Sequence, residues 1–348
     1  MIGKDLCRKS FWDHNLEAIQ KVGRSAPAFV APHRKFSEVT LIRDLEQYPE
    51  SARGGAVSVG NFDGVHRGHA ALIERLVSLA QEVGGPAVAI TFDPHPAAFL
   101  RVANVPPKLT SIERRAEMLS ACGVDFIAVC RTSEEWLRQP ATEFFNSVLV
   151  GTAGAKGIVE GPNFFFGRNR EGNPAKLAQL CGPHDIKLRI IEPTLLGEAM
   201  VSSSEVRRLL RGGDVAAANQ LLTAPYRLTG KVVRGDSRGK QLGFPTANLA
   251  QIETMIPGAG VYATVSIVEG RRYSSATHIG PNPTFNNQQK LKVETHLIDF
   301  AEDLYGQTID VEMIAKVREV TKFDSVDDLV QQLKIDVATS RRLVEYSL

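Results

Sequence analysis

Two histidines three residues apart, His66 and His69, flank Gly68 in the string Gly60-Asn61-Phe62-Asp63-Gly64-Val65-His66-Arg67-Gly68-His69. An apolar run ends at Gly60 and a helical pattern opens near His69, so the string joins a strand to a helix. A helix start presents free N–H groups and a positive dipole end, both favourable to phosphate. Glycines let the backbone approach a ligand closely. Two imidazoles on that turn can donate hydrogen bonds to one phosphate as negative charge builds during attack at phosphorus. The same residues admit two other readings. One is a metal pair, for which no third ligand at zinc-type spacing is visible; the other is a plain glycine-rich surface turn.

A second candidate runs from Gly235 to Asn248, where Gly235, Gly239 and Gly243 are interleaved with Arg238 and Lys240. This composition suits a loop that wraps phosphates, though it lacks the P-loop spacing. Thr246 and Asn248, two apart, share a face of an extended segment and can offer a hydroxyl and an amide oxygen to Mg²⁺. Further on, Leu291, Val293, Thr295 and Leu297 alternate with Lys292, Glu294, His296 and Ile298. Glu294 and His296 therefore face away from the Val293 side. A carboxylate there can take the proton of a neutral hydroxyl nucleophile. A basic turn, and a solvated strand face with Glu294 paired to Lys292, are the bland alternatives.

The elements that must position these residues fall into two kinds. From about Phe36 to Leu222, short apolar runs (Ala56–Gly60, Pro86–Phe92, Asp125–Cys130, Gly157–Glu160, Ile186–Ile191) are separated by helical patterns. That implies βαβ units and a parallel sheet covered on both faces. After about Ala224, consecutive strand-like segments (Arg227–Arg234, Gly260–Val268, Arg272–Ile279, Lys290–Asp299, Thr308–Val317) imply an antiparallel sheet or small barrel. A helix closes the chain from Ser325, with Asp328 completing a capping-box pattern and Leu329, Leu333 and Val337 as its buried stripe. The expected domains are thus 36–222 and 223–348, after an extension, residues 1–35, without a packed structure of its own.

Composition excludes some classes. The 348 residues are 43% hydrophobic and 23% charged, enough for two ordinary cores, and the net charge is only +2 with no block of one sign. Nothing here supports a nucleic-acid or membrane partner. No apolar run approaches the ~20 residues that span a bilayer. Cys7, Cys122, Cys130 and Cys181 are widely spaced, which suggests no disulfide framework or zinc site and fits a reducing cytoplasm. The oligomeric state is left open.

The string GNFDGVHRGH resembles the HxGH nucleotidylyltransferases, in particular the adenylyltransferase half of bacterial bifunctional FAD synthetases. The resemblance continues through Thr91-Phe92-Asp93-Pro94-His95-Pro96, Gly161-Pro162-Asn163-Phe164-Phe165-Phe166-Gly167-Arg168 and Ser202-Ser203-Ser204-Glu205-Val206-Arg207. Taken alone, these could be a proline-rich loop, core aromatics and an ordinary helix cap. The resemblance implies that Gly60, Asn61, Phe62, Asp63, Gly68, Asn163, Ser202, Ser203, Ser204 and Arg207 serve ATP, and that Asp93, His95, Pro96 and Phe164 serve the flavin. Glu205 stands where the family usually has arginine, reversing a charge close to the expected phosphates, with Arg208 or Arg211 as possible replacements.

The later string GDSRGKQLGFPTAN is similar to the riboflavin kinase domain, as are Ile279–Phe285, Val293–Phe300 and Arg318–Phe323. That implies ATP contacts by Gly235, Arg238, Gly239, Gly243 and Thr246, Mg²⁺ at Thr246 and Asn248, flavin contacts by Phe244, Arg318 and Phe323, and Glu294 as the base. Together the two halves imply a Rossmann-like nucleotidylyltransferase domain followed by a six-stranded antiparallel barrel with a terminal helix. The implied reactions convert riboflavin to FMN and then FMN to FAD, with ATP as co-substrate in both. Two alternatives remain at this point: a kinase whose second activity is lost through Glu205, and a non-catalytic flavin or nucleotide sensor.

Overall fold

The computed structural model describes residues 40–99, 105–196, 199–235, 238–281 and 291–347. The expected extension, residues 1–35, and residues 282–285 of the Ile279–Phe285 segment lie outside them. Contacts divide the described chain after Ser203.

The first unit is built on strands β1 (Thr40–Ile42), β2 (Ala56–Val59), β3 (Ala87–Asp93), β4 (Phe126–Arg131), β5 (Gly157–Glu160) and β6 (Lys187–Ile190). They form one sheet in the order β1-β4-β3-β2-β5-β6, every neighbour parallel. β2, β5 and the first five residues of β3 are buried throughout, as strands covered on both faces must be. Helix α1 (Arg67–Val83) buries Ala70, Ile73, Leu76, Leu79 and Ala80; of the stripe its periodicity predicts, Leu72 is only half-buried. α2 (Ile112–Ala121) and α3 (Pro174–Cys181) are capped by Ser111 and Asn173. A short hairpin, β7 (Leu195–Leu196) and β8 (Ala199–Met200), ends the unit.

Strand order reverses at β2: the chain proceeds outward to β3 and β4 on one side and to β5 and β6 on the other. Such a switch point opens a crevice at the carboxyl ends of the strands. β2 and β5 pair only at Ala56↔Gly157 and Val57↔Ile158. Beyond that, the Val59 N–H donates to Glu160 Oε1 at 2.6 Å, so a buried carboxyl takes the ladder's place where the strands part. Burial pushes the Glu160 carboxyl well above its ordinary pKa.

The second unit opens at Ser204, within α4 (Ser203–Arg211), and continues with α5 (Val215–Leu221). Strands β9 (Arg227–Val233), β10 (Ala247–Ala250), β11 (Gly260–Val268), β12 (Arg271–Pro281), β13 (Leu291–Leu297) and β14 (Thr308–Arg318) then close into an antiparallel barrel, order β10-β13-β12-β11-β14-β9. Composition put the boundary near Leu222–Tyr226; contacts put it earlier, because α5 is tied to the barrel. Asn219 Nδ2 donates to Met313 O and Asn219 Oδ1 accepts from the Tyr226 N–H, both at 2.8 Å.

The barrel interior holds hydroxyls as well as aliphatics. Thr264, Ser266, Ser275, Thr277 and Thr295 are fully buried. They form one chain, with Ser266–Ser275, Ser275–Thr264, Thr264–Thr277 and Thr277–Thr295 contacts of 2.8–3.0 Å. Each hydroxyl thereby finds a partner away from water.

The terminal helix α6 (Val326–Glu345) starts as expected, with Ser325 Oγ accepting from the Asp328 N–H. Its expected buried stripe needs correction. The residues it buries are Asp336, Thr339, Ser340, Leu343 and Val344, whereas Leu329, Leu333 and Val337 are only half-buried and line a cleft. An apolar stripe at helical spacing marks what must leave water, and a ligand cavity satisfies that pattern as well as a core does. Among the described residues no helix is long and apolar enough to cross a membrane.

Candidate active sites

In the first unit, a cleft of about 830 Å³ opens at the switch point. Gly60, Asn61, His95, Pro96, Asn163 and Phe164 line it, together with an aromatic wall of Phe92, Trp136, Phe144 and Phe166. Gly60 and Asn61 start the loop that carries the histidines; His66 and His69 themselves are not part of the lining.

The histidine pair has a defined chemistry. His66 caps α1: its Nδ1 accepts from the His69 N–H at 3.2 Å, while His69 Nδ1 accepts from the His66 N–H at 3.3 Å. The rings stack, centroids 3.6 Å apart. An Nδ1 that accepts carries no proton, so in each neutral ring the proton sits on Nε2. Burial lowers the His66 pKa to about 4, and burial, then the His66 ring, then the Arg115 cation hold His69 well below its ordinary value. The pair therefore stands at neutral pH as two uncharged N–H donors.

The loop behind them is anchored inward. Asp63 is buried; its carboxylate accepts from the N–H groups of Leu109 and Thr110 and the Thr110 hydroxyl, all at 3.0 Å, and pairs with Arg115 at 3.4 Å. Phe62 is buried as well and meets the His69 ring edge-on. Ser203 Oγ donates to Asp63 O at 2.8 Å. Asp93 pairs with Lys108 at 3.0 Å.

On α4, in the second unit, Glu205 is held by both guanidinium arms of Arg208, at 2.6 and 2.8 Å. This keeps its carboxyl below the usual range and engages one cation expected to replace the missing one. Arg207 is buried on the same helix.

A second cleft, about 390 Å³, lies in the second unit. Gly239, Phe244, Thr246, Glu294, Arg318 and Phe323, all expected at a ligand, line it. Glu294 faces outward between buried Val293 and Thr295, as the alternation requires. The ion pair of the bland reading is also present: Lys292 Nζ is 3.0 Å from Glu294 Oε1, and His278 Nδ1 is 3.6 Å from Oε2. His278, then Lys292, hold the Glu294 carboxyl below the ordinary carboxylate range, against burial, which pushes it up. Arg318 is bidentate to the buried Asp336, at 2.7–3.1 Å, and stands over Phe323.

Asn248 is buried, and its Oδ1 has no hydrogen-bond partner among the described residues. Gly235 backs the amide so closely that a Cβ there would lie 2.3 Å from Nδ2. An amide oxygen with nothing to accept from is the hard donor a divalent cation takes. With the Thr246 hydroxyl on the adjacent cleft wall, the residues fit Mg²⁺. Asp236, Ser237 and the Arg238 side chain lie outside the described residues; Gly243 sits in the turn before Phe244.

Comparison with known proteins separates the same two halves. An FAD synthetase family model matches residues 48–205 and a riboflavin kinase model matches residues 222–344. A bifunctional riboflavin kinase/FMN adenylyltransferase from Haemophilus influenzae is 33% identical over 86% of this chain and 98% of its own length; one from Pseudomonas fluorescens is 34% identical over 87% and 97%. The chain belongs to the bifunctional riboflavin kinase/FMN adenylyltransferase family. A solved chain described as a macrolide-efflux protein from Streptococcus pneumoniae shares the fold at TM-score 0.79 and 30% identity, covering 87% of this chain and 99% of that one.

Each cleft of this family member thus falls inside one matched half. Several lining residues carry no motif and were missed from sequence, Trp136 and Phe144 in the first cleft and His278 in the second, while Leu329 and Leu333 were read as helix core and not as cleft. Outward alternation along residues 272–279 puts His278 on the solvent side of its strand, but only pairing between strands reveals its neighbour.

Proposed function

We propose that this enzyme uses ATP twice: riboflavin + ATP → FMN + ADP in the barrel, then FMN + ATP → FAD + pyrophosphate in the parallel-sheet unit. The observation that carries the reading is that each matched half holds its own cleft, bordered by its own chemically suitable group, Glu294 in one and the His66–His69 loop in the other.

In the kinase step, Glu294 takes the proton of riboflavin's 5′-hydroxyl while that oxygen attacks the γ-phosphorus and ADP leaves. Lys292 and His278 keep the carboxyl ionised beforehand. Thr246 and Asn248 would hold Mg²⁺, which when bound neutralises phosphate charge. Leu329, Leu333, Val337 and Phe323 supply apolar surface for the flavin ring. In the adenylyl step, the FMN phosphate is already ionised and needs no base. Its oxygen attacks the α-phosphorus and pyrophosphate departs. His66 and His69 donate from Nε2 to the growing charge without bringing a competing positive charge that must be desolvated. Phe92, Trp136 and Phe164 fit the isoalloxazine. Buried thiols at Cys122, Cys130 and Cys181 suit a reducing compartment, and a cytoplasmic location goes with this reading.

Purified protein given riboflavin and Mg²⁺-ATP should yield FMN and then FAD by chromatography. The reversed charge at Glu205 favours one competing reading, a kinase alone; accumulation of FMN without FAD would establish it.

A further inference from the structure

The two oxygens of the Glu294 carboxylate are shared between two different neighbours. Lys292 Nζ lies 3.0 Å from Oε1, whereas His278 Nδ1 lies 3.6 Å from Oε2. A cation at hydrogen-bond distance makes Oε1 the less basic oxygen. Among the described residues Oε2 faces only the longer contact, and it is the oxygen left to take a proton. At 3.6 Å the imidazole stands just beyond hydrogen-bond reach of Oε2, and since an ionised carboxylate can only accept, closing that gap brings Nδ1–H to it.

The placement of His278 is built into the barrel. His278 and Glu294 are direct partners across β12 and β13, one step from Thr277↔Thr295. Successive residues of a strand point to opposite faces, so Thr277 and Thr295 meet inside while His278 and Glu294 meet outside. The inner pair is locked by a 3.0 Å contact between hydroxyls. A slip of one residue would bury Glu294 and break the hydroxyl chain at once. Gly280 leaves the ring its room: a Cβ there would lie 2.5 Å from His278 Cε1. Of the charged and titratable groups around Glu294, Lys292 shares its strand, His278 comes from β12, and His296 is turned away, with Nδ1 2.8 Å from Pro245 O.

We propose that His278 is a positioning residue for riboflavin phosphorylation, holding Oε2 of Glu294 toward the 5′-hydroxyl while Lys292 occupies Oε1. The inference rests on the kinase reading above. Its effect falls on the reacting geometry, not on binding: a carboxylate turned by one rotamer still leaves both substrates bound but misplaces the base.

The test compares wild type, His278→Ala and His278→Asn in steady-state phosphorylation of riboflavin with Mg²⁺-ATP. FMN adenylylation by the same preparations is the second readout. His278→Ala should lower the kinase kcat about tenfold or more, with both KM values within about twofold. His278→Asn should recover most of the loss, since its amide N–H reaches nearly where Nδ1–H stood. FAD formation from FMN should not change in either variant. Wild-type kcat in His278→Ala, a loss confined to KM, or an asparagine variant no better than alanine would each overturn the assignment. If wild type makes no FMN, the functional reading itself fails, and the two failures are told apart.

Discussion

His66 and His69 cap their own helix by exchange: each ring's Nδ1 accepts the other residue's backbone N–H, and the rings stack at 3.6 Å. One arrangement therefore starts the helix, selects the tautomer and keeps both rings uncharged. These roles are separable by substitution. His66→Asn keeps a side-chain acceptor at the cap and should unfold within about 1 kcal/mol of wild type, whereas His66→Ala should lose about 0.5–2 kcal/mol. Both should lose FAD formation and retain FMN formation, read by chromatography alongside thermal melts. An asparagine variant with full adenylyl transfer would leave the histidine with a cap role only.

Two buried groups should tilt stability with pH in opposite directions. His66 has a folded pKa of about 4 against 6.5 for the free side chain. Below pH 6.5 the unfolded chain takes up a proton that the folded chain refuses, so stability falls as pH drops toward 4, by about 3 kcal/mol at most. Glu160 has its folded pKa raised. Its contribution is complete below pH 4.5 and declines as pH rises through the folded value, because only the unfolded chain releases the proton. Glu160→Gln keeps an acceptor for the Val59 N–H without that liability. Denaturant melts should show it gaining on wild type as pH rises from 5 to 8; parallel curves would place Glu160's pKa in the ordinary range.

Glu294→Gln removes the proposed base and keeps the shape. Riboflavin phosphorylation should slow about 10²–10⁴-fold, while adenylylation of supplied FMN continues. Kinase activity close to wild type would remove Glu294 from that role.

Asn248→Ala should raise the Mg²⁺ concentration needed for half-maximal kinase activity and leave the Mg²⁺ dependence of the adenylyl step alone. An unchanged kinase titration would show that the buried amide oxygen serves packing only.

Leu333 and Leu343 share a helix and differ in surroundings. Leu343→Ala, in the core, should cost about 2–5 kcal/mol. Leu333→Ala should cost less and instead raise the KM for riboflavin, because its side chain faces the cleft. Equal stability losses with an unchanged KM would return Leu333 to the core.

Most of the architecture was legible without coordinates. Burial on both faces of a parallel strand leaves a continuous apolar run, and the barrel's alternation put Glu294 outward, because side chains of a strand point alternately to its two faces. Residue types at fixed spacing carried the histidine loop, the Thr246–Asn248 pair and the family. Folding in three dimensions decided the rest. That Asp63 turns inward to Thr110 and Arg115, that Leu329 and Leu333 border a cleft, and that His278 stands beside Glu294 depend on residues far apart along the chain. Spacing reports which face a side chain takes on its own element. What lies across from that face is set by register and packing between elements, and no local pattern encodes it.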